Sequence, residues 1–328
     1  MSFFSDSQLL RAEKEPVNYL KHDSYFVTLT RTRMLKTIST RSSTHPKLLR
    51  RLALSSLLVA TTVSIPFAQG LRAQSVPGRW LQVERFSGTV TTRTGNSKNA
   101  QKGDRLSAVG HSLVTGNRSS ANLSVDSGIG SVAVAQNTRI TIQQLSVLPD
   151  GARVTVLDIP QGQARAQVRP FSNPNSRLEL HTPSGTAAVR GTIFGVSVAK
   201  DGRTGIATLE GQVEASAQSV SVPVDAGMVS IVRPGEPPTP ARTLDRDLDI
   251  QWHTHEWQSD HLYISGRIDA ANTLFVDEQE ITTSRAGYFE EKIPLARRRH
   301  RVLATVQNPV GETRDHSLFR WLAHSFDR

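Results

Sequence analysis

Phe194-Gly195-Val196-Ser197-Val198, Lys200-Asp201-Gly202 and Thr204-Gly205-Ile206-Ala207-Thr208 follow one another along the chain. The first run carries large apolar residues at alternate positions, and the second carries the β-branched Thr204, Ile206 and Thr208, with small or polar residues between them. That period of two suits strands with one buried and one wet face. Asp-Gly between them is a hairpin signal, because the glycine accepts backbone angles that a side chain forbids. The pattern recurs upstream. Gly88-Thr89-Val90-Thr91-Thr92 runs into Arg93-Thr94-Gly95-Asn96, and Ala121-Asn122-Leu123-Ser124-Val125 runs into Asp126-Ser127-Gly128. Ser131-Val132-Ala133-Val134 and Arg139-Ile140-Thr141-Ile142 follow, and Pro149-Asp150-Gly151 precedes Arg153-Val154-Thr155-Val156-Leu157. Nothing between residues 80 and 235 carries a helical period. Short, closely spaced strands predict an all-β sandwich, roll or solenoid-like stack over residues 80–233.

A faint repeat runs through this region. Asp150-Gly151 leads to a strand and then Gln161-Gly162-Gln163, while Asp201-Gly202 leads to a strand and then Glu210-Gly211-Gln212. Stacked copies of such a unit would bury one continuous core.

The chain has 328 residues, enough for two domains with cores of their own. Apolar residues are 37% and aromatics 6%, so those cores must rest on Val, Ile, Leu and Ala. Cysteine is absent, which excludes disulfides, zinc–thiolate sites and a thiol nucleophile. The net charge of +10 resembles a nucleic-acid signal, but its distribution argues against one. Residues 1–73 hold 11 Lys/Arg against 4 Asp/Glu, leaving 28 against 25 in residues 74–328. The expectation is no nucleic-acid partner.

The basic run Lys47-Leu48-Leu49-Arg50-Arg51 enters an uncharged stretch of 14 residues, 52–65, closed by Pro66 with Ala68 and Ala73 beyond. This is the three-part layout of a secretory signal. The stretch is short of the roughly 20 residues of a spanning helix. Cleavage is expected near Ala73-Gln74 or Ala68-Gln69, with no stable membrane span once the signal is gone. Residues 34–73 are the expected signal peptide, beginning at Met34, and residues 1–33 are expected to be either a stretch ahead of the true start or a disordered extension.

Residues 234–243, Pro-Gly-Glu-Pro-Pro-Thr-Pro-Ala-Arg-Thr, read as a stiff proline-rich linker. With a connector it is expected to occupy residues 234–260. Strand signals resume from Leu262: Leu262-Tyr263-Ile264-Ser265-Gly266, Asn272-Thr273-Leu274-Phe275-Val276, Tyr288-Phe289 and Arg301-Val302-Leu303-Ala304-Thr305-Val306. About seven short strands over 261–328 suggest an immunoglobulin-like β-sandwich. The blocks Ile264-Ser265-Gly266, Gly287-Tyr288-Phe289 and Asn308-Pro309-Val310-Gly311 resemble bacterial Ig-like domains of surface proteins.

The middle region holds the blocks Lys102-Gly103-Asp104-Arg105-Leu106, Leu180-His181-Thr182-Pro183, Ala188-Val189-Arg190-Gly191-Thr192-Ile193-Phe194-Gly195-Val196, Thr208-Leu209-Glu210-Gly211-Gln212-Val213 and Pro223-Val224-Asp225-Ala226-Gly227-Met228. In these blocks and their order it resembles the FecR family. Thr182, Pro183, Arg190, Gly191, Thr192, Phe194, Glu210 and Gly211 are its motif residues, with structural or binding roles. Gly191 and Gly211 suit unusual backbone angles or close strand approach. Thr182-Pro183 suits a strand entry. Arg190 is expected to rest on backbone carbonyls or a carboxylate such as Glu210, with an anionic ligand as the sharper alternative. The resemblance implies a periplasmic domain, which in the sensor branch passes a signal to a sigma factor.

Two clusters invite chemistry. His253 and His255, with His261 nearby, could share one face of a strand and grip a metal, against the plainer reading of solvated side chains. Arg297, Arg298, Arg299 and Arg301 could form a patch for anionic polymer, against a solvated loop. No nucleophile elbow, phosphate loop, HExxH or paired-carboxylate frame occurs. The expected function is therefore an exported, non-enzymatic envelope protein without cofactor, periplasmic or in the cell envelope. Its expected partners are envelope proteins or cell-wall polysaccharide. The alternatives are a membrane-anchored FecR-type regulator of a sigma factor and an envelope metal-binding protein.

Overall fold

The computed structural model describes residues 78–126, 128–296 and 300–320. The expected extension and signal peptide lie outside the described residues, as do Arg297, Arg298 and Arg299. Among the described residues no helix is long and apolar enough to cross a membrane.

The fold is all-β. Its N-terminal body begins with β1 (Leu81–Ser87), β2 (Val90–Arg93), β3 (Ser97–Asn99), β4 (Arg105–Leu106), β5 (Ser112–Thr115) and β6 (Ser120–Val125). It continues with β7 (Gly130–Val134), β8 (Arg139–Val147), β9 (Arg153–Asp158), β10 (Gly162–Val168), β11 (Arg177–His181) and β12 (Thr186–Val189). It ends with β13 (Ile193–Val198), β14 (Thr204–Glu210), β15 (Gln212–Ala217), β16 (Val220–Asp225), β17 (Met228–Val232) and β18 (Arg242–Thr243). These strands form two nine-stranded sheets, ordered β18-β17-β14-β13-β10-β7-β6-β1-β4 and β16-β15-β12-β11-β9-β8-β5-β2-β3. The pairings are antiparallel except β9 with β11, which is parallel. From β6 onward the chain lays down hairpins alternately in one sheet and the other, with β10 as a single strand between them.

One core lies between the sheets. Leu81, Leu123, Ile140, Ile142, Leu157, Leu178, Leu180, Phe194, Val196 and Ile206 are all fully buried in it. β6 shows the alternation read from sequence, buried at Ala121, Leu123 and Val125 with wetter residues between. Beneath one end, Arg79 is almost wholly buried. Its Nε donates to Asp126 Oδ2 at 2.8 Å, and its remaining nitrogens reach the Val154 carbonyl at 2.6 Å and Thr155 Oγ1 at 2.7 Å. With the Ser146 carbonyl, the guanidinium makes four hydrogen bonds, one of them to its paired carboxylate, and such bonding offsets the penalty of burying an ion.

The faint repeat is a structural one. In the β8–β9 turn Asp150 Oδ1 accepts the Ala152 amide, Gly151 N–H donates to Leu148 and Leu148 N–H to Ala152. In the β13–β14 turn Asp201 Oδ1 accepts the Arg203 amide, Gly202 N–H donates to Ala199 and Ala199 N–H to Arg203. After the strand that follows each turn, a glycine stands where the chain crosses between sheets. Gly162 has φ +91° and Gly211 φ +79°. A Cβ on Gly162 would lie 2.2 Å from Thr138 Oγ1, and one on Gly211 would lie 2.9 Å from Thr192 Cγ2. Each corner thus closes on the threonine that precedes the first strand of its own unit.

The C-terminal body comprises β19 (Gln251–Trp257), β20 (His261–Arg267), β21 (Thr273–Val276), β22 (Gln279–Ile281), β23 (Tyr288–Pro294), β24 (Arg301–Gln307) and β25 (Thr313–Phe319). Its sheets are ordered β19-β20-β23 and β22-β21-β24-β25. Leu262, Ile264, Leu274, Phe289, Val302, Ala304 and Val306 fill the space between them. The first of these strands, β19, falls inside the segment read from sequence as a connector.

The proline-rich segment does not act as a free spacer. Thr239 N–H donates to the Ile231 carbonyl at 2.9 Å, its Oγ1 accepts the Ile231 amide at 3.0 Å, and β18 pairs with β17. Prolines 234, 237, 238 and 240 cannot donate to a ladder, but Thr239 between them can, so the segment is strapped along β17 through that residue.

Candidate functional site

β14 departs from the half-wet strand expected of its sequence. Thr204, Gly205, Ile206, Ala207 and Thr208 are all buried. Ile206 faces the main core, whereas Ala207 joins Val229, Ile231, Leu244, Ala271 and Val310 in a separate apolar cluster. That cluster is the seam between the two bodies. The outer face of β13, β14 and β17 forms one side, and the C-terminal body's loops at 269–272 and 308–311 form the other.

Glycine makes the approach feasible. A Cβ on Gly195 would stand 2.1 Å from the Pro309 carbonyl oxygen, and one on Gly205 would stand 2.7 Å from Pro309 Cγ. Polar bonds then fix the register. Arg203, 6% exposed, donates through Nη1 to the carbonyls of Ala270 and Asn272. Gln163 Nε2 donates to the Asn308 carbonyl at 2.7 Å. Arg242 grips both oxygens of Asp269 at 2.6 and 2.7 Å, a bidentate arrangement specific to guanidinium and carboxylate. Arg246 pairs with Glu312, and Arg118 and Asn117 with Glu278.

Several seam carboxyls are perturbed. Burial alone would raise Asp269, but the Arg242 bonds and the Ala271 amide outweigh it and hold the carboxyl below its usual range. Bonds from Asn117 and Arg118 lower Glu278, and the bond from Arg246 lowers Glu312. Glu280 moves the other way because burial dominates, despite accepting the Lys200 amide at 2.8 Å.

Beside the seam the two bodies leave a cleft of about 540 Å³. Its walls are the β7–β8 turn, the Gly162 corner, the end of β13, the β21–β22 hairpin and the end of β24. Carboxamides dominate them: Gln136, Asn137, Gln161, Gln163, Gln279 and Gln307, with Phe275 as the aromatic member.

The sequence candidates fall elsewhere. Thr182 and Pro183 form the tight turn from β11 to β12 rather than a strand entry. Thr182 N–H and Oγ1 both donate to the Gly185 carbonyl at 2.9 Å, although Pro183 also borders the cleft. Gly191 has φ +151°, and a Cβ there would stand 2.5 Å from Pro170 Cα, so close approach requires the glycine. Thr192 and Gly211 build the corner described above, and Phe194 is a core residue. Arg190 is exposed, and no bond among the described residues ties its guanidinium to Glu210, which is exposed too. It lines a shallow groove with Arg177, Gln212 and Glu214.

The histidines do not converge. A bulge between Trp252 and Thr254 breaks the strand period that would have aligned His253 with His255. The His253 ring lies 5.8 Å from that of Tyr288, whereas His255 pairs with inward-facing Ile264 and meets the edge of Trp252. His261 Nδ1 bonds Asp260 at 2.7 Å. Among the described residues no group of three or more His, Asp or Glu side chains could hold a metal ion. Of the arginine run, the described member Arg301 stacks over Phe319 and donates to Ser317 Oγ at 3.0 Å. Sequence reasoning missed the seam residues. Gly195, Gly205 and Arg203 stand in the run that announces the hairpin, but nothing in that run marks a second body covering its outer face.

Residues 111–214 match the model of the FecR protein family, and the chain therefore carries a FecR domain. The matched span runs from just before β5 into β15. The blocks at 102–106 and 223–228 lie outside it, yet β4, β16 and β17 complete the same two sheets. FecR domains face the periplasm in membrane regulators, and the match supports an envelope protein of regulator type. No curated protein matches the chain. Two crystal structures, at 1.65 and 2.50 Å, of a protein from Parabacteroides distasonis ATCC 8503 described as a "putative anti-sigma factor" are similar at 13% identity and a TM-score of 0.34. Each match covers 40% of this chain and 59% of that one.

Proposed function

We propose that the chain is an exported, non-enzymatic envelope protein that binds or scaffolds through a FecR body (residues 80–233) joined to an immunoglobulin-like sandwich. The observation that carries this reading is the seam. Gly195 and Gly205 admit Pro309 at backbone distance, and Arg203 and Gln163 bond carbonyls of the other body. A seam of that kind makes one binding platform of two sandwiches, with the cleft built from both. The expected partners are envelope proteins or cell-wall polysaccharide. The test is retention of the purified full chain on peptidoglycan and outer-membrane fractions, with intact mass of the protein recovered from cells. Retention with a mature start near Gln74 supports the reading; no retention on either fraction overturns it.

The FecR match favours a second reading, a membrane-anchored regulator of a sigma factor. Recovery of the chain from the inner membrane with residues 47–66 still present would select that reading instead.

A further inference from the structure

The cleft between the two bodies has an unusual chemistry for its size. Its 540 Å³ falls within the roughly 300–1,000 Å³ of small-ligand sites. Such sites are mostly apolar, whereas this one is walled by carboxamides from both bodies. Among the described residues, no hydrogen bond engages the side chains of Asn137, Gln279 or Gln307. Gln163 is 7% exposed, and its Oε1 has no partner while its Nε2 is committed to Asn308.

The charged side chains bordering the cleft each make a bond within the protein. Glu278 is held by Arg118 and Asn117. The Glu280 carboxylate accepts the Lys200 amide, and Lys200 Nζ donates to the Glu280 carbonyl at 3.3 Å. That last bond also occupies the edge of β22 where a peptide strand would add. What remains free is a set of groups that each donate and accept, with the half-buried ring of Phe275 beside them. A carboxamide's paired donor and acceptor matches the hydroxyl and acetamido groups of a sugar, and the ring offers a flat apolar face for the C–H side of a pyranose.

We infer that this cleft is a binding site for a short, uncharged oligosaccharide, held by Asn137, Gln279 and Gln307 with Phe275 beneath the sugar. The inference rests on the envelope-binding reading above and names its ligand class.

The test is calorimetric titration of the full chain with chitotriose and maltotriose as neutral probes, trigalacturonate as an acidic probe and end-blocked tetra-alanine as a peptide probe. One neutral trisaccharide should bind with a dissociation constant below about 1 mM. The Gln279→Ala/Gln307→Ala variant should weaken it about tenfold or more, with an unchanged melting temperature. Asn137→Ala, on a separate turn, should weaken it severalfold and guards against a folding defect in the first variant. Absence of saturable binding by either neutral sugar, tighter binding of trigalacturonate or the peptide, or unchanged affinity in both variants overturns the assignment. The same variants on envelope fractions separate the two proposals. If wild type and variants are retained equally, envelope binding stands and the cleft assignment falls; if wild type is not retained, the broader reading falls.

Discussion

Phe194 and Gly195 are neighbours on β13 and face opposite interiors. Phe194 is fully buried between the two nine-stranded sheets. Gly195 faces the seam, where the Pro309 carbonyl occupies the place its side chain would take. The core is filled by large Val, Ile and Leu side chains that interdigitate from two sheets. The seam is made by removing side chains: Gly195, Gly205 and Ala207 flatten one face until another backbone can lie on it. Buried polar groups then set the register. Two interiors of one molecule thus follow opposite rules, one filling space and the other clearing it.

Substitutions at those neighbours separate the rules. Phe194→Ala should cost about 3–5 kcal/mol and lower the melting temperature of the whole chain, because it empties the shared core. Chemical denaturation with circular dichroism checks this. Gly195→Val should cost about 1–3 kcal/mol through overpacking and should act on the seam alone. Hydrogen exchange reads it: faster exchange at 204–208 and 308–311 with unchanged protection in β6 and β10. Equal loss of protection in β6 would mean that the two interiors are not separable.

Arg203→Met keeps the apolar stem of the side chain but leaves the Ala270 and Asn272 carbonyls without their donor. The expected cost is about 2 kcal/mol, seen as a lower denaturation midpoint. Acid sharpens the contrast further with a smaller effect. Asp269, Glu278 and Glu312 are held below their usual range by partners across the seam. Their contribution is complete above the unfolded carboxyl values of about 4 and is lost as pH falls through the lower folded values. Glu280, raised by burial, opposes this, since its protonation relieves an unfavourable charge. The seam should therefore loosen below about pH 4; Asp104 and Glu179, likewise held low by partners in the N-terminal body, lose their bonds in the same range, so the contrast with the core is one of degree. Hydrogen exchange at pH 5 and pH 3 compares the two.

The same contrast explains what the sequence revealed. The core was legible because alternation along β6, β10 and β13 reports which side chains a sheet buries. The hairpins were legible because Asp150-Gly151 and Asp201-Gly202 make turns by local chemistry alone. The seam was not. In a strand pattern Gly205 and Ala207 look like residues of a wet face, and nothing local to Thr204-Gly205-Ile206-Ala207-Thr208 tells that the loops at 269–272 and 308–311, far downstream in the chain, cover them. The proline-rich segment misled for a related reason. Its composition predicts an extended chain, but Thr239 supplies the donor and acceptor that bind it to Ile231. Likewise the alternation of His253 and His255 promised a shared face until the bulge between Trp252 and Thr254 altered the parity. A cleft assembled from the ends of β13, β21, β22 and β24 leaves no contiguous motif to read.

The proposed platform requires the FecR body and the sandwich to hold one fixed relation. The chain has no cysteine, so a labelling pair can be introduced cleanly at two exposed positions, Val109→Cys and Tyr288→Cys. Pulsed electron–electron spin resonance on the doubly labelled full chain should give a single narrow distance distribution, which Gly195→Val broadens. A broad distribution in the chain without Gly195→Val would mean that the two bodies move independently.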